Sequence, residues 1–128
     1  MPIFECRSIA IAADPAAVHA YVADARNLPT WAPAFATSVE PDGDRWAITQ
    51  GDRTFGIVVR ASVEHGTVDL LDPTDLTRGA FSRVLPSSAG SEYQFCLFFP
   101  DDTDAAAVTS QMTEVERELE RVRAACER

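Results

Sequence analysis

The chain contains no lysine; all 11 of its basic side chains are arginine. A Schiff-base mechanism and a phosphate-binding loop built on lysine are therefore excluded. Histidine is nearly as scarce, with two in 128 residues, and the three cysteines, Cys6, Cys96 and Cys126, lie far apart with no C-x-x-C spacing. That pattern speaks against a zinc cluster or a disulfide framework, and predicts small buried thiols in a reducing compartment. No metal site and no cofactor is expected. No apolar run approaches the roughly 18 residues that span a bilayer. The start, Met1 to Glu5, shows no basic segment followed by an apolar one, so cytoplasmic residence is the expectation. The formal net charge is −9. Such a field repels phosphate backbones and anionic headgroups, so neither nucleic acid nor a membrane surface is an expected partner.

What remains is ordinary for one soluble domain spanning 1–128, with 46% hydrophobic and 24% charged residues. Phe4 to Ala12 reads as a strand. Asp14-Pro15 then starts a short helix, with aspartate placed to cap it and proline at a position whose N–H would be unpaired anyway. Val18, Tyr21 and Val22 mark its buried side, and His19 falls off that stripe as a solvated residue. Pro29 and Pro33 confine the next helical turn to the neighbourhood of Trp31.

From Phe35 to Pro100, turn residues recur between alternating segments. They are Pro41 to Asp44, Gly51-Asp52, Glu64 to Gly66, Asp72 to Asp75, and Pro86 to Gly90. Folding about each turn sets Ile48 opposite Phe55, Trp46 opposite Ile57, Val59 near Leu70 and Ala61 near Val68. Further along, Leu70 meets Ala80 or Ser82, Ser82 meets Phe95, and Val84 meets Tyr93. These pairings agree with one another on a single apolar face, and a slip of one residue anywhere would break the agreement. The opposite face carries Thr49, Thr54, Arg60, Thr67, Asp69, Arg83, Glu92 and Gln94, together with Val58, Leu71, Phe81, Cys96 and Phe98. That apolar share is equally consistent with a homodimer contact and with strand residues shielded by neighbouring threonine and arginine stems.

After Asp101-Asp102, the residues Val108, Met112, Val115, Leu119, Val122 and Cys126 recur at three- and four-residue steps. The spacing predicts a helix over Asp104 to Glu127, long enough to lie across the whole sheet. Glu114, Glu116, Glu118 and Glu120 interleave with Arg117, Arg121 and Arg123, which reads as a solvated face.

The order strand, two short helices, six-stranded meander and long final helix resembles the helix-grip fold of the START-like or SRPBCC superfamily. That superfamily includes polyketide cyclase/dehydrases and lipid-transport proteins. The residues carrying the resemblance are Ile11 to Val18, Tyr21 to Asp24, Asn27 to Trp31, Asp42 to Trp46, His65 to Asp69, Arg83 to Pro86 and Gly90 to Phe99. The resemblance covers essentially the whole chain. It implies an α+β fold in which a seven-stranded antiparallel sheet wraps the C-terminal helix around an apolar pocket. Carried onto this chain, the pocket walls are Trp31, Trp46, Phe55, Leu70, Ser82, Tyr93, Phe95 and Met112. Empty core volume costs on the order of 24 cal/mol per Å3, so a narrow or ligand-filled slot is expected rather than a large dry one.

No catalytic residue is assigned. Asp69, Arg83 and Glu92 form the tempting charged group, but the register puts all three on the outer face. Tyr93 is the best inward polar group, either a weak acid or an aromatic core residue bonded to a carbonyl. Trp31 and Trp46 read as packing residues first. His65 sits in a turn. Without an inward carboxylate or histidine, the expected function is binding of a small hydrophobic or aromatic molecule. The resemblance also implies two alternatives, a polyketide cyclase/dehydratase-like enzyme and a protein-interaction module of the chaperone-activator type.

Overall fold

A computed structural model describes residues 1–128. Strand β1 (Ile3–Ile11) is followed by helix α1 (Pro15–Ala23), a 3-10 turn (Ala25–Asn27) and helix α2 (Leu28–Trp31). The meander then runs β2 (Ser38–Asp42), β3 (Arg45–Gln50), β4 (Arg53–Ser62), β5 (Thr67–Asp72), β6 (Asp75–Ser87) and β7 (Gly90–Phe99). Helix α3 (Ala105–Cys126) ends the chain. All seven strands form one antiparallel sheet in the order β1-β7-β6-β5-β4-β3-β2.

The pairings expected from the turns are the pairings found. Ile48 faces Phe55 and Trp46 faces Ile57. Val59 faces Leu70 and Ala61 faces Val68, Leu70 faces Ala80, and Ser82 and Val84 face Phe95 and Tyr93. Because side chains alternate along a strand, this register turns Ile48, Ile57, Val68, Val84, Tyr93 and Phe95 into the core. Val108, Met112, Val115, Leu119 and Val122 of α3 meet them there. Burying each such side chain contributes about 1.5–3 kcal/mol.

Three expectations about the helices need correction. Asp14 holds the N-cap position of α1, but its side chain makes no capping bond; its carbonyl accepts from Ala17 and Val18 instead. His19 is buried rather than solvated, because α1 packs between α3 and strands β5 and β6. Its Nε2 lies 3.1 Å from the Thr67 carbonyl oxygen, a contact that pins the helix to β5. Helix α3 does not cover the whole sheet. It packs chiefly on β1, with lesser contacts to β7, α1 and α2. Arg7 of β1 bonds Glu116 of α3 at 3.0 Å, and the Ala12 N–H donates to Glu127 at 2.8 Å. The concave face of β4, and the part of β5 that α1 does not reach, are left open.

The outer face behaves as its register dictates. Asp69 is held by Arg60 across the β4–β5 ladder at 3.1 Å, and Arg83 lies opposite Thr67 and Gln94. Phe98 packs between Phe4 and Phe81, with ring centroids 4.6 and 6.0 Å away. Phe4 and Phe98 each keep about half of their surface in solvent. Cys6 and Cys96 stand opposite each other across β1 and β7. Burial and the neighbouring Cys6 push the Cys96 thiol up to about 12, so it is a poor nucleophile at neutral pH.

Candidate functional site

The uncovered part of the sheet is a hollow of about 1090 Å3, open to solvent on one side. Its floor is the inner face of β4 to β7, with Phe55, Ile57, Leu70, Ala80, Phe95 and Leu97. Helix α2 supplies a second wall. Pro29 near its start and Pro33 just beyond its end limit it to one turn. That turn drives Leu28 and Trp31 into the core, each only 1% exposed. The Trp31 ring meets Phe95 edge-on at 6.3 Å, and its indole N–H has no protein acceptor. The third wall is the flank of α3, with Gln111 and Glu118.

Four of the eight residues expected on the pocket walls, Trp31, Phe55, Leu70 and Phe95, line this hollow. Trp46 points to the same face but sits beyond the lining, half-buried against the core. Ser82 and Tyr93 lie where the core is closed. The Ser82 hydroxyl donates to the Val68 carbonyl at 2.6 Å. Burial pushes the Tyr93 hydroxyl well above the usual phenol range, so it does not ionise at neutral pH. Met112 is buried under the β1 edge beside a second, smaller hollow with Ile3, Glu5 and Arg7. The main hollow is far wider than the narrow slot expected, and because it is open, water can fill it and the cost of dry core volume does not arise.

The residue that sequence reasoning missed is Glu118. It is 6% exposed, lies on the wall of the hollow, and makes neither a hydrogen bond nor an ion pair with the protein. The neighbouring acidic residues behave differently, because Glu114 is paired with Arg117 and Arg121, Glu116 with Arg7 and Glu120 with Arg123. Burial, reinforced by the Glu114 charge and only partly offset by Arg121, pushes the Glu118 carboxyl up to about 7. The solvated-face reading of this helix is therefore wrong at Glu118. A helical wheel carries the signal, since Glu118 stands three residues after Val115 and four before Val122, on the edge of the apolar stripe.

The mouth has the opposite character. Arg45, Arg53 and Arg78 line it with a single carboxylate, Asp72. Bonds from the Thr74 backbone and hydroxyl hold Asp72 below the usual carboxylate range. Arg53 lies over the Phe55 ring at 5.7 Å. Within the lining, arginine thus outnumbers carboxylate in a chain of net charge −9, with Asp44 3.9 Å from Arg45 and Asp75 near Arg78 just outside it. No cluster of histidine, cysteine and acidic side chains is arranged to hold a metal ion, and no helix is long and apolar enough to cross a membrane.

No protein-family model and no curated protein matches the chain. Several solved structures match its fold over nearly its whole length. A START superfamily protein from Mycobacterium smegmatis is 12% identical, with 97% of each chain covered and a TM-score of 0.70. The KanY protein, solved by NMR, is 18% identical over 100% of this chain and 99% of its own, at 0.73. Aha1 from Colwellia psychrerythraea, described as a dimer, is 11% identical over 98% of this chain and 96% of its own, at 0.72. With a seven-stranded antiparallel sheet, short helices after the first strand and a long closing helix, the chain has the START/SRPBCC-type helix-grip fold.

Proposed function

We propose that the chain binds a small, largely apolar or aromatic molecule in the hollow between α2, α3 and the inner face of β4 to β7. The observation that carries this reading is the uncovered part of the concave face. Trp31, Phe55, Leu70 and Phe95 converge on about 1090 Å3 there, a volume suited to a small organic ligand. An apolar body placed in it would remove both its own surface and these side chains from water, at about 25 cal/mol per Å2.

The test is calorimetric titration with 2-methoxynaphthalene. The wild-type protein is expected to bind it, and Leu70→Trp, which fills the floor of the hollow, to bind at least about tenfold more weakly, or about 1.4 kcal/mol. Phe4→Ala, on the outer face and outside the lining of the hollow, is the control and should leave affinity unchanged. Absence of binding by the wild type, or equal affinity in Leu70→Trp, contradicts the proposal.

Glu118 favours a second reading, an enzyme of the cyclase/dehydratase type. A buried carboxyl titrating at about 7 is suited to giving and taking a proton at neutral pH. Turnover of a ligand by the wild type that disappears in Glu118→Gln would support the enzyme; binding without turnover in both would support the carrier.

A further inference from the structure

We infer that Glu118 selects the ligand of this hollow, favouring apolar molecules that present a neutral O–H or N–H donor over equally sized molecules without one. This inference rests on the binding role proposed for the hollow and adds the chemical class of its ligand.

Glu118 is 6% exposed and lines the same hollow as Trp31, Phe95, Leu97 and Leu70, yet no protein group donates to it. Its carboxylate oxygens are not sealed off as the Tyr21 hydroxyl and the Trp31 indole N–H are, so they open on the hollow. A ligand that covers them without offering a donor leaves a buried acceptor unpaired, at a cost of about 1–3 kcal/mol. Other carboxylates on the helix avoid this by pairing with arginine. The nearest basic side chain on the helix, Arg121, is instead engaged with Glu114 at 3.5 Å. The unpaired acceptor of Glu118 therefore borders the space a ligand would fill.

The mouth decides between donors. An ammonium group would satisfy Glu118, but its approach passes Arg45, Arg53 and Arg78. Asp72 shares the lining and Asp44 pairs with Arg45 at 3.9 Å, while Arg53 and Arg78 are held in no ion pair. Like charges at a low-dielectric cleft disfavour that approach. A hydroxyl or a neutral N–H meets no such barrier, and a hydrogen bond to a charged acceptor contributes about 1.5–3 kcal/mol.

The experiment compares 2-naphthol with 2-methoxynaphthalene, in which a methyl group replaces the hydroxyl proton, on the wild type and on Glu118→Leu, by calorimetry at pH 8. The methyl contribution cancels in the ratio between the two proteins. The ratio of their affinities is expected to fall at least about tenfold in Glu118→Leu, with affinity for 2-methoxynaphthalene kept or improved. An unchanged ratio overturns the role of Glu118 while leaving the apolar hollow intact. Binding of neither probe by the wild type overturns both readings. A 2-(aminomethyl)naphthalene cation that binds the wild type more tightly than 2-naphthol overturns the assignment to neutral donors.

Discussion

Glu118→Gln is expected to stabilise the protein at pH 8.5 by about 3 kcal/mol more than it does at pH 5. The folded carboxyl titrates at about 7, against about 4.3 for a glutamate in an unfolded chain. A folded value raised in this way means that the folded state holds the proton more tightly. Between the two values the unfolded chain has lost its proton and the folded protein has kept it, so stability falls as pH rises through that window. Above pH 7 the full penalty of a buried, unpaired charge is present, and each tenfold difference in proton affinity between the two states is worth about 1.4 kcal/mol. The groups facing Glu118 are Glu114 and Arg121 on α3 and Tyr93 on β7. All three are common to wild type and variant, so the difference between the two isolates the one carboxyl. Urea unfolding of both proteins at a series of pH values measures it. A difference that stays flat from pH 5 to 8.5 would mean that Glu118 is solvated.

Gly79→Ala should destabilise the fold by about 3 kcal/mol or more, among the largest effects of any single substitution outside the core. Gly79 has φ of +144°, and a Cβ built there would stand 2.1 Å from the Leu70 carbonyl oxygen and 2.9 Å from the Leu71 Cα. Both neighbours are backbone of the paired strand, where the β5–β6 register shifts between Leu71 and Asp72. Neither can move without parting the ladder at the rim of the hollow. Gly43→Ala is the comparison. Its φ is +63°, but the added carbon meets open space, so only the left-handed backbone cost of about 1–2 kcal/mol applies. Thermal or urea unfolding separates the two, and equal losses would place the strain in the backbone angle alone.

The fold was legible in the sequence because turn chemistry and strand alternation constrain each other. Gly51-Asp52 admits a tight turn, and that turn leaves Trp46, Ile48, Phe55 and Ile57 only one way to share a face. The same logic put Asp69 and Arg83 outside, where the Arg60–Asp69 pair stands. The site was half legible, for a physical reason. Alternation tells which face a side chain takes, but not what covers that face. Phe95 and Tyr93 point the same way, yet Phe95 borders the hollow while Tyr93 lies in the closed core. The position of α3 over β1 makes that difference, and no local pattern encodes it. Glu118 and His19 were missed for a related reason. Each is a polar side chain beside the apolar stripe of its helix, and each is buried by an element distant in the chain.

Uptake of an apolar molecule by the hollow is the central claim, and amide-resolved NMR titration with 2-methoxynaphthalene tests it most directly. The expected result is a saturable shift of the Trp31 indole N–H and of amides at Phe55, Leu70 and Phe95, with Phe4 and Phe81 unmoved. Shifts confined to those two outer-face rings, or none that saturate, would contradict it.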